Sequence, residues 1–150
     1  MTDIHIDDFH RDTALILLRL YAQFPRKTTL YVDDICGPDT PDEFGLHSER
    51  WMACFSTMIW LAEQGYLRFE QPIRQEAIDQ AVLTEASFLL LSSRSDLHLG
   101  LPEPETPLPA SVIEGNQSNI MQLRQCVKAG SSIMTGQCVR YLLNQIRSFR

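Results

Sequence analysis

Four cysteines (36, 54, 126 and 138) and four histidines (5, 10, 47 and 98) are the side chains of this chain best suited to metal binding or nucleophilic chemistry. Their spacing supports neither. A zinc site usually takes two ligands from a short step such as CxxC, because two donors about one turn apart can grip the same ion. No two cysteines form such a pair, and no histidine has a second ligand at metal spacing. The pattern predicts free thiols, no metal and no cofactor. General acid–base or nucleophilic catalysis needs groups paired at a cleft, and the scattered His, Cys and Ser offer no such geometry. The expectation is a protein that is not an enzyme.

The elements that would position any functional side chain are best defined between Ser48 and Thr84. Ser48 is a good N-cap, Glu49 favours the positive helix end, and Gly65 stops the helix. At about 100° per residue, Trp51, Met52, Cys54, Phe55, Met58, Ile59, Leu61 and Ala62 form one broad apolar arc that must be buried. The opposite arc carries Glu49, Arg50, Ala53, Ser56, Thr57, Trp60, Glu63 and Gln64, so Trp60 stands alone among small and polar neighbours. After Gly65 the pattern changes to short β-type segments, 66–70 and 77–83, with a turn across 72–75 and Pro72 marking an edge or a strand end. Thr84 then caps a short helix through Phe88 to Leu91.

Upstream, Asp7 or Asp8 can cap a helix to about Gln23, with Phe9, Thr13, Ile16, Leu17, Leu20 and Phe24 at helical spacing. A short β-prone run, 28–32, and one helical turn through Ile35 and Cys36 follow. Residues 37–48 form a turn-rich, acidic connector.

The chain has 150 residues, 44% hydrophobic and 21% charged, which suits one compact domain with appendages. No run approaches the roughly 18 apolar residues of a membrane span, and the acidic start MTDIHIDDFH lacks the basic-then-apolar pattern of a signal peptide. A cytoplasmic location is expected. Charge is divided unevenly: residues 1–118 hold 8 Lys and Arg against 19 Asp and Glu, a balance of −11, whereas 119–150 hold five basic residues and no acid, +5. An acidic body with a basic tail can dock that tail on itself, on a sister subunit or on an anionic partner.

The order helix, short strand, short helix, connector, long helix, hairpin and helix, with "LAEQGYL" closing the long helix and "AVLT" closing the hairpin, resembles the winged helix-turn-helix superfamily over residues 8–92. The resemblance implies an α+β, mainly α domain in which the long helix can enter the major groove and the wing can touch the DNA backbone. Carried over, the candidate DNA contacts are Arg50, Ser56 and Thr57 on the helix, Arg74 at the wing tip and Arg68, and DNA binding would require Arg50, Arg68, Arg74, Arg26 and Lys27 to gather on one face. This chain departs from the pattern. Phosphate neutralisation by Lys and Arg supplies most non-specific DNA affinity, yet the helix face carries one Arg against two Glu.

Residues 93–118 form a Pro-rich linker, with prolines 102, 104, 107 and 109 favouring an extended spacer that contains a formal PxxP. Beyond it, 119–150 reads as a basic amphipathic helix or helix pair from an Asn119 cap. Ile120, Leu123, Val127, Met134 and Tyr141 form one stripe, and Cys138, Leu142, Ile146 and Phe149 form a rotated one. Gly130, Ser131, Ser132 and Gly136 mark a bend and permit a close helix approach. So much apolar surface needs cover. The expected organisation is a winged-helix domain (1–92), a linker (93–118) and a C-terminal helical segment (119–150) docked on the body or across a homodimer, with Trp60 as its contact. The expected function is regulatory protein interaction, and a DNA-binding regulator is the alternative.

Overall fold

The computed structural model describes residues 3–97 and 118–149, apart from the side chain of Phe149. His98, the prolines of the expected linker with their PxxP, and the side chain of Phe149 lie outside the described residues. The fold is α+β and mainly helical, with a small antiparallel sheet. In chain order the elements are α1 (Ile4–Gln23), β1 (Thr28–Tyr31), α2 (Val32–Cys36), α3 (Glu49–Glu63), β2 (Leu67–Arg68), β3 (Gln71–Ile73), β4 (Ala77–Leu83), α4 (Glu85–Ser92), α5 (Asn119–Ala129) and α6 (Ser132–Phe149).

The sheet is built around β4, the longest strand. β1 lies on one side of it, and β2 and β3 lie on the other. Leu67 pairs with Leu83, Gln71 with Asp79 and Ile73 with Ala77, so β2 and β3 keep a single register and amount to one strand interrupted at residues 69–70. The sequence places a turn over 72–75; instead Pro72 pairs opposite Ile78, and the chain reverses at 74–76, where Arg74 has a positive φ. Proline is tolerated there because that strand has no neighbour on its outer edge. On the other side the register slips by one between Thr28–Ala81 and Leu30–Ile78, a β-bulge within which Gln80 takes a φ of 58°.

Helix ends follow local chemistry in most places. The Ser48 hydroxyl accepts from the Trp51 amide at 3.2 Å, and Thr84 caps α4 in the same way. α3 ends in a Schellman motif: Gly65, at φ 84°, donates to the Ala62 carbonyl, and Tyr66 donates to the Leu61 carbonyl at 2.9 Å. Two expected caps are corrected. α1 starts at Ile4, one turn before Asp7 and Asp8, so these acids lie inside the helix and Asp8 faces Arg50. α5 is capped by Ser118, while Asn119 turns its side-chain amide to the Leu90 carbonyl at 2.8 Å and so satisfies the end of α4.

Residues 119–149 are two helices broken at Gly130, which takes a left-handed φ of 72°. They share the hydrophobic core of the remainder of the chain. Ile120, Leu123, Leu142 and Ile146 are buried in one cluster with Ala14, Leu17 and Leu20 of α1 and Leu91 of α4, and Val127 and Met134 pack half-buried against it. α1 is the hub, since α3, α5, α6 and β4 all pack on it. The Asn119 amide donates to the Ser93 carbonyl at 2.9 Å, so the chain returns beside the point where it left α4. Gly136 lets α6 come close to α1: a Cβ there would meet His10 Nδ1 at 2.9 Å.

Gly136→Val should lower stability by about 1–3 kcal/mol through overpacking, and Leu142→Ala by about 2–5 kcal/mol through loss of core contacts. Urea unfolding reads both. A Leu142→Ala variant within about 0.5 kcal/mol of wild type, the range of ordinary surface substitutions, would show that α6 is not part of the cooperative core.

Candidate functional site

The outward face of α3 is where the resemblance places recognition, and its geometry is set from beneath by α1. Asp12, on the inner side of α1, is 1% exposed. A buried carboxylate needs a cation and hydrogen bonds. Arg50 supplies both: its Nη1 donates to Asp12 Oδ2 at 2.7 Å and its Nη2 to Oδ1 at 2.6 Å, while its Nε lies 3.5 Å from Asp8. The two carboxylates hold the guanidinium charged and raise its pKa further, Asp12 most of all. Arg50 is the only cation of α3, and it faces the protein.

The other candidate DNA contacts are dispersed. Thr57, expected on the exposed arc, is buried, and its hydroxyl donates to the Ala53 carbonyl at 2.9 Å. The correction has a simple cause: packing of α1 and α3 widens the buried arc beyond the apolar stripe. Ser56 is exposed on α3, Arg68 on β2 and Arg74 at the hairpin tip. Arg68 and Arg74 are six residues apart along an extended strand, which separates them by about 20 Å. Lys27 lies 3.5 Å from Glu70 on the surface, and Arg26 is exposed.

Trp60 is 40% exposed and packs edge-on against Phe9 of α1, ring centroids 5.4 Å apart. The expected partner, the apolar stripe of 119–149, instead covers α1 and α4. Phe9 in turn lies 5.7 Å from the ring of His10, and Arg140 Nε of α6 donates to His10 Nε2 at 3.3 Å. That bond requires a bare Nε2, hence a neutral imidazole with its proton on Nδ1. Burial and the Arg140 charge both lower the His10 pKa, in keeping with that tautomer. Tyr66, 6.0 Å from Trp60, donates its hydroxyl to the Leu143 carbonyl at 3.1 Å. Trp60 thus packs on Phe9 of α1 and beside Tyr66, and the hydroxyl of Tyr66 and the ring of His10 each reach α6.

A second constellation is absent from any sequence pattern. His47, in the connector, is nearly buried, with Nδ1 at 3.2 Å from Asp39 and Nε2 at 2.7 Å from Glu76 of the hairpin turn. Its ring stacks on Trp51 at 4.2 Å, and Trp51 Nε1 donates to the Gln75 carbonyl at 2.8 Å. Only an imidazolium can donate from both nitrogens. The Glu76 hydrogen bond, together with Asp39, raises the His47 pKa, and the Ser48 amide with His47 lowers that of Asp39. This clasp ties connector, hairpin and α3 together. Its partners stand eight residues before and 29 after His47, so no local spacing signals it.

All four cysteines are free thiols. They associate as Cys36 with Cys54 and Cys126 with Cys138; burial pushes the Cys36 and Cys54 thiols up, and the hydrogen bond between Cys126 and Cys138 lowers the former and raises the latter. Among the described residues no group of three His, Cys, Asp or Glu could hold a metal ion. A cavity of about 200 Å³ opens between the first turns of α1 and the α5–α6 junction, lined by Asp7, Asp8, Arg11, Val127 and Ser131 among others. It is smaller than the roughly 300–1,000 Å³ of typical ligand pockets. No described helix is long and apolar enough to cross a membrane.

Comparison with family models, with curated proteins and with solved structures finds no match to this chain.

Two outcomes follow from the ion pairs. Arg50→Ala strands the Asp12 carboxylate and should cost about 3 kcal/mol, the lower end of the range for breaking a buried pair because Arg50 is itself part-exposed; the urea midpoint measures it, and an unchanged midpoint would contradict the pairing. For the clasp, the folded pKa of His47 lies above its ordinary 6.5, so its contribution is complete below about pH 6.5 and is lost as pH rises through the folded value. His10 shifts the other way, so the test compares wild type with His47→Gln. Their stability difference should shrink from pH 6 to pH 9, and a difference that grows would refute a protonated clasp.

Proposed function

We propose that this chain is a non-enzymatic regulatory protein whose winged-helix scaffold serves protein interaction, with α5 and α6 docked on their own body. The order of elements supports the scaffold: a long helix leads directly into a hairpin whose strands lie antiparallel, and β1 completes the sheet across β4. The observation that carries the reading is the bidentate Arg50–Asp12 pair. It leaves the helix that would enter a major groove without a free cation, whereas the commonest specific DNA contact is an Arg or Lys directed at guanine. What α3 presents instead is a large aromatic beside small and acidic residues, and aromatic residues are enriched at the centres of protein interfaces.

The separation of side chains supports a non-catalytic role as well. His47 uses both ring nitrogens, and His10 its Nε2, to hold loops or helices together, and neither lines the 200 Å³ cavity. Four free thiols suit a reducing cytoplasm, where disulfides are rare.

The discriminating experiment is fluorescence anisotropy of random-sequence duplex DNA against the full chain over a salt series. Binding should need low salt and vanish by about 150 mM, where the Debye length is roughly 8 Å. Affinity that survives that salt would make the DNA-binding regulator the better reading, with Ser56, Arg68 and Arg74 as its contacts.

A further inference from the structure

The outer edge of β1 is the place where this sheet can grow. β1 is the terminal strand, with β4 on one side and, among the described residues, no strand on the other. The direction of its free backbone groups follows from the ladder. Val32 donates to the Glu76 carbonyl at 2.9 Å, and Tyr31 and Leu30 pair with Ala77 and Ile78 in the same register. Backbone groups alternate in direction along an antiparallel strand, so those of Leu30 and Val32 face β4, whereas Thr29 and Tyr31 turn their N–H and C=O groups outward. Edges are commonly blunted by a proline or a charge within the strand. The opposite edge has Pro72 in β3 and is interrupted at residues 69–70, but Thr28–Tyr31 contains neither proline nor charge. Tyr31, a large ring on this edge, is 48% exposed.

The two ends of β1 carry charges of opposite sign. Arg26 and Lys27 precede the strand, Asp33 and Asp34 follow it after Val32, and each is exposed. Lys27 pairs with Glu70 at 3.5 Å and Asp34 with Arg19 at 3.8 Å, but both pairs lie in solvent, where such contacts contribute little and can be exchanged. An antiparallel copy of the same strand presents these charges in reverse order. A two-fold axis at Leu30 pairs Thr29 with the partner's Tyr31 and Tyr31 with the partner's Thr29, each exchanging both outward backbone hydrogen bonds. Counting outward in that register brings Lys27 beside the partner's Asp33 and Arg26 beside the partner's Asp34. Registers centred on Thr29 or Tyr31 keep the backbone bonds but move the opposite charges apart. A foreign strand of a single charge matches one end only. We infer that β1 is the homodimer edge of this protein, joining the sheets of two copies through antiparallel β1 strands whose register is set by reciprocal Lys27–Asp33 and Arg26–Asp34 pairs. The inference rests on the protein-interaction reading and deepens it, naming a second copy of this chain as the partner.

Sedimentation velocity of the full chain at about 1–100 μM brackets a micromolar dissociation constant. Wild type should sediment at twice the chain mass. Tyr31→Pro should give monomers, because it removes an outward donor while leaving the β1–β4 ladder intact, and the φ of −88° at Tyr31 lies near the range that proline adopts. Lys27→Glu and Asp33→Lys should each weaken association by about 10-fold or more, since each turns reciprocal attraction into repulsion. The two changes in one chain should restore the dimer, because the pairs re-form with their signs exchanged. Far-UV circular dichroism accompanies each variant; Lys27→Glu alters only an exposed side chain and keeps the test decisive if Tyr31→Pro misfolds. A wild-type monomer throughout the range overturns the interface. So does a dimer indifferent to a folded Tyr31→Pro variant, which would place association elsewhere. A dimer indifferent to Lys27→Glu, or a double exchange that fails to restore association, overturns the charge-set register. None of these results bears on the salt series with duplex DNA, so failure here and failure of the interaction reading remain distinguishable.

Discussion

Asp12 is the constraint from which much of this structure follows. A carboxylate on the buried side of α1 cannot stay ionised without a partner, and the cost of stranding it exceeds that of most single contacts in the core. Arg50 answers it with two short hydrogen bonds. The pair sets the register of α3 on α1, and with it the positions of Cys54, Met58 and Leu61 in the core and of Ser56, Trp60 and Glu63 at the surface. It also decides what the surface of α3 can do. With its single basic residue directed inward, α3 has no free Lys or Arg on its outward face.

α1 carries this burden because it is covered on several sides. His10 and Thr13 are buried along with Ala14, Ile16 and Leu17. His10 is met by a neighbour, since Arg140 reaches its Nε2 and Gly136 gives its ring room. The two structured histidines illustrate how surroundings choose a charge state. His10, buried against an arginine, has its pKa lowered toward the neutral form, whereas His47, between two carboxylates, has its pKa raised toward the charged form. Each is a mechanical part, His10 joining α1 to α6 and His47 joining the connector to the hairpin.

Among the described residues, the C-terminal helices pack onto the rest of the chain without forming ion pairs there. The ion pairs between side chains that the described residues make all lie within the first 76 residues. Apolar burial holds α5 and α6 in place: Ile120, Leu123, Leu142 and Ile146 are removed from water against α1 and α4. Long-range charge attraction can speed such docking, yet Arg140 and Arg147 remain exposed and available to a partner.

How much could be read in advance depended on the range of the interaction. Periodicity located the helices, the strands over 28–32 and 77–83, the Ser48 and Thr84 caps, the Gly65 stop, the break near Gly130 and the close approach at Gly136, because each is governed by residues within a turn or two of one another. The apolar stripe of 119–149 likewise announced that it needed cover. Tertiary structure alone decided what covered it, and it showed that a Pro-rich break in the chain is no break in the core. It alone turned Arg50 inward, buried Thr57 and gave Asn119 to the end of α4. It alone assembled Asp39, His47 and Glu76. The contacts of Arg50, Asn119 and His47 join residues 8 to 38 positions apart. A side chain's neighbours at such separations are set by how helices pack, and no local spacing records that.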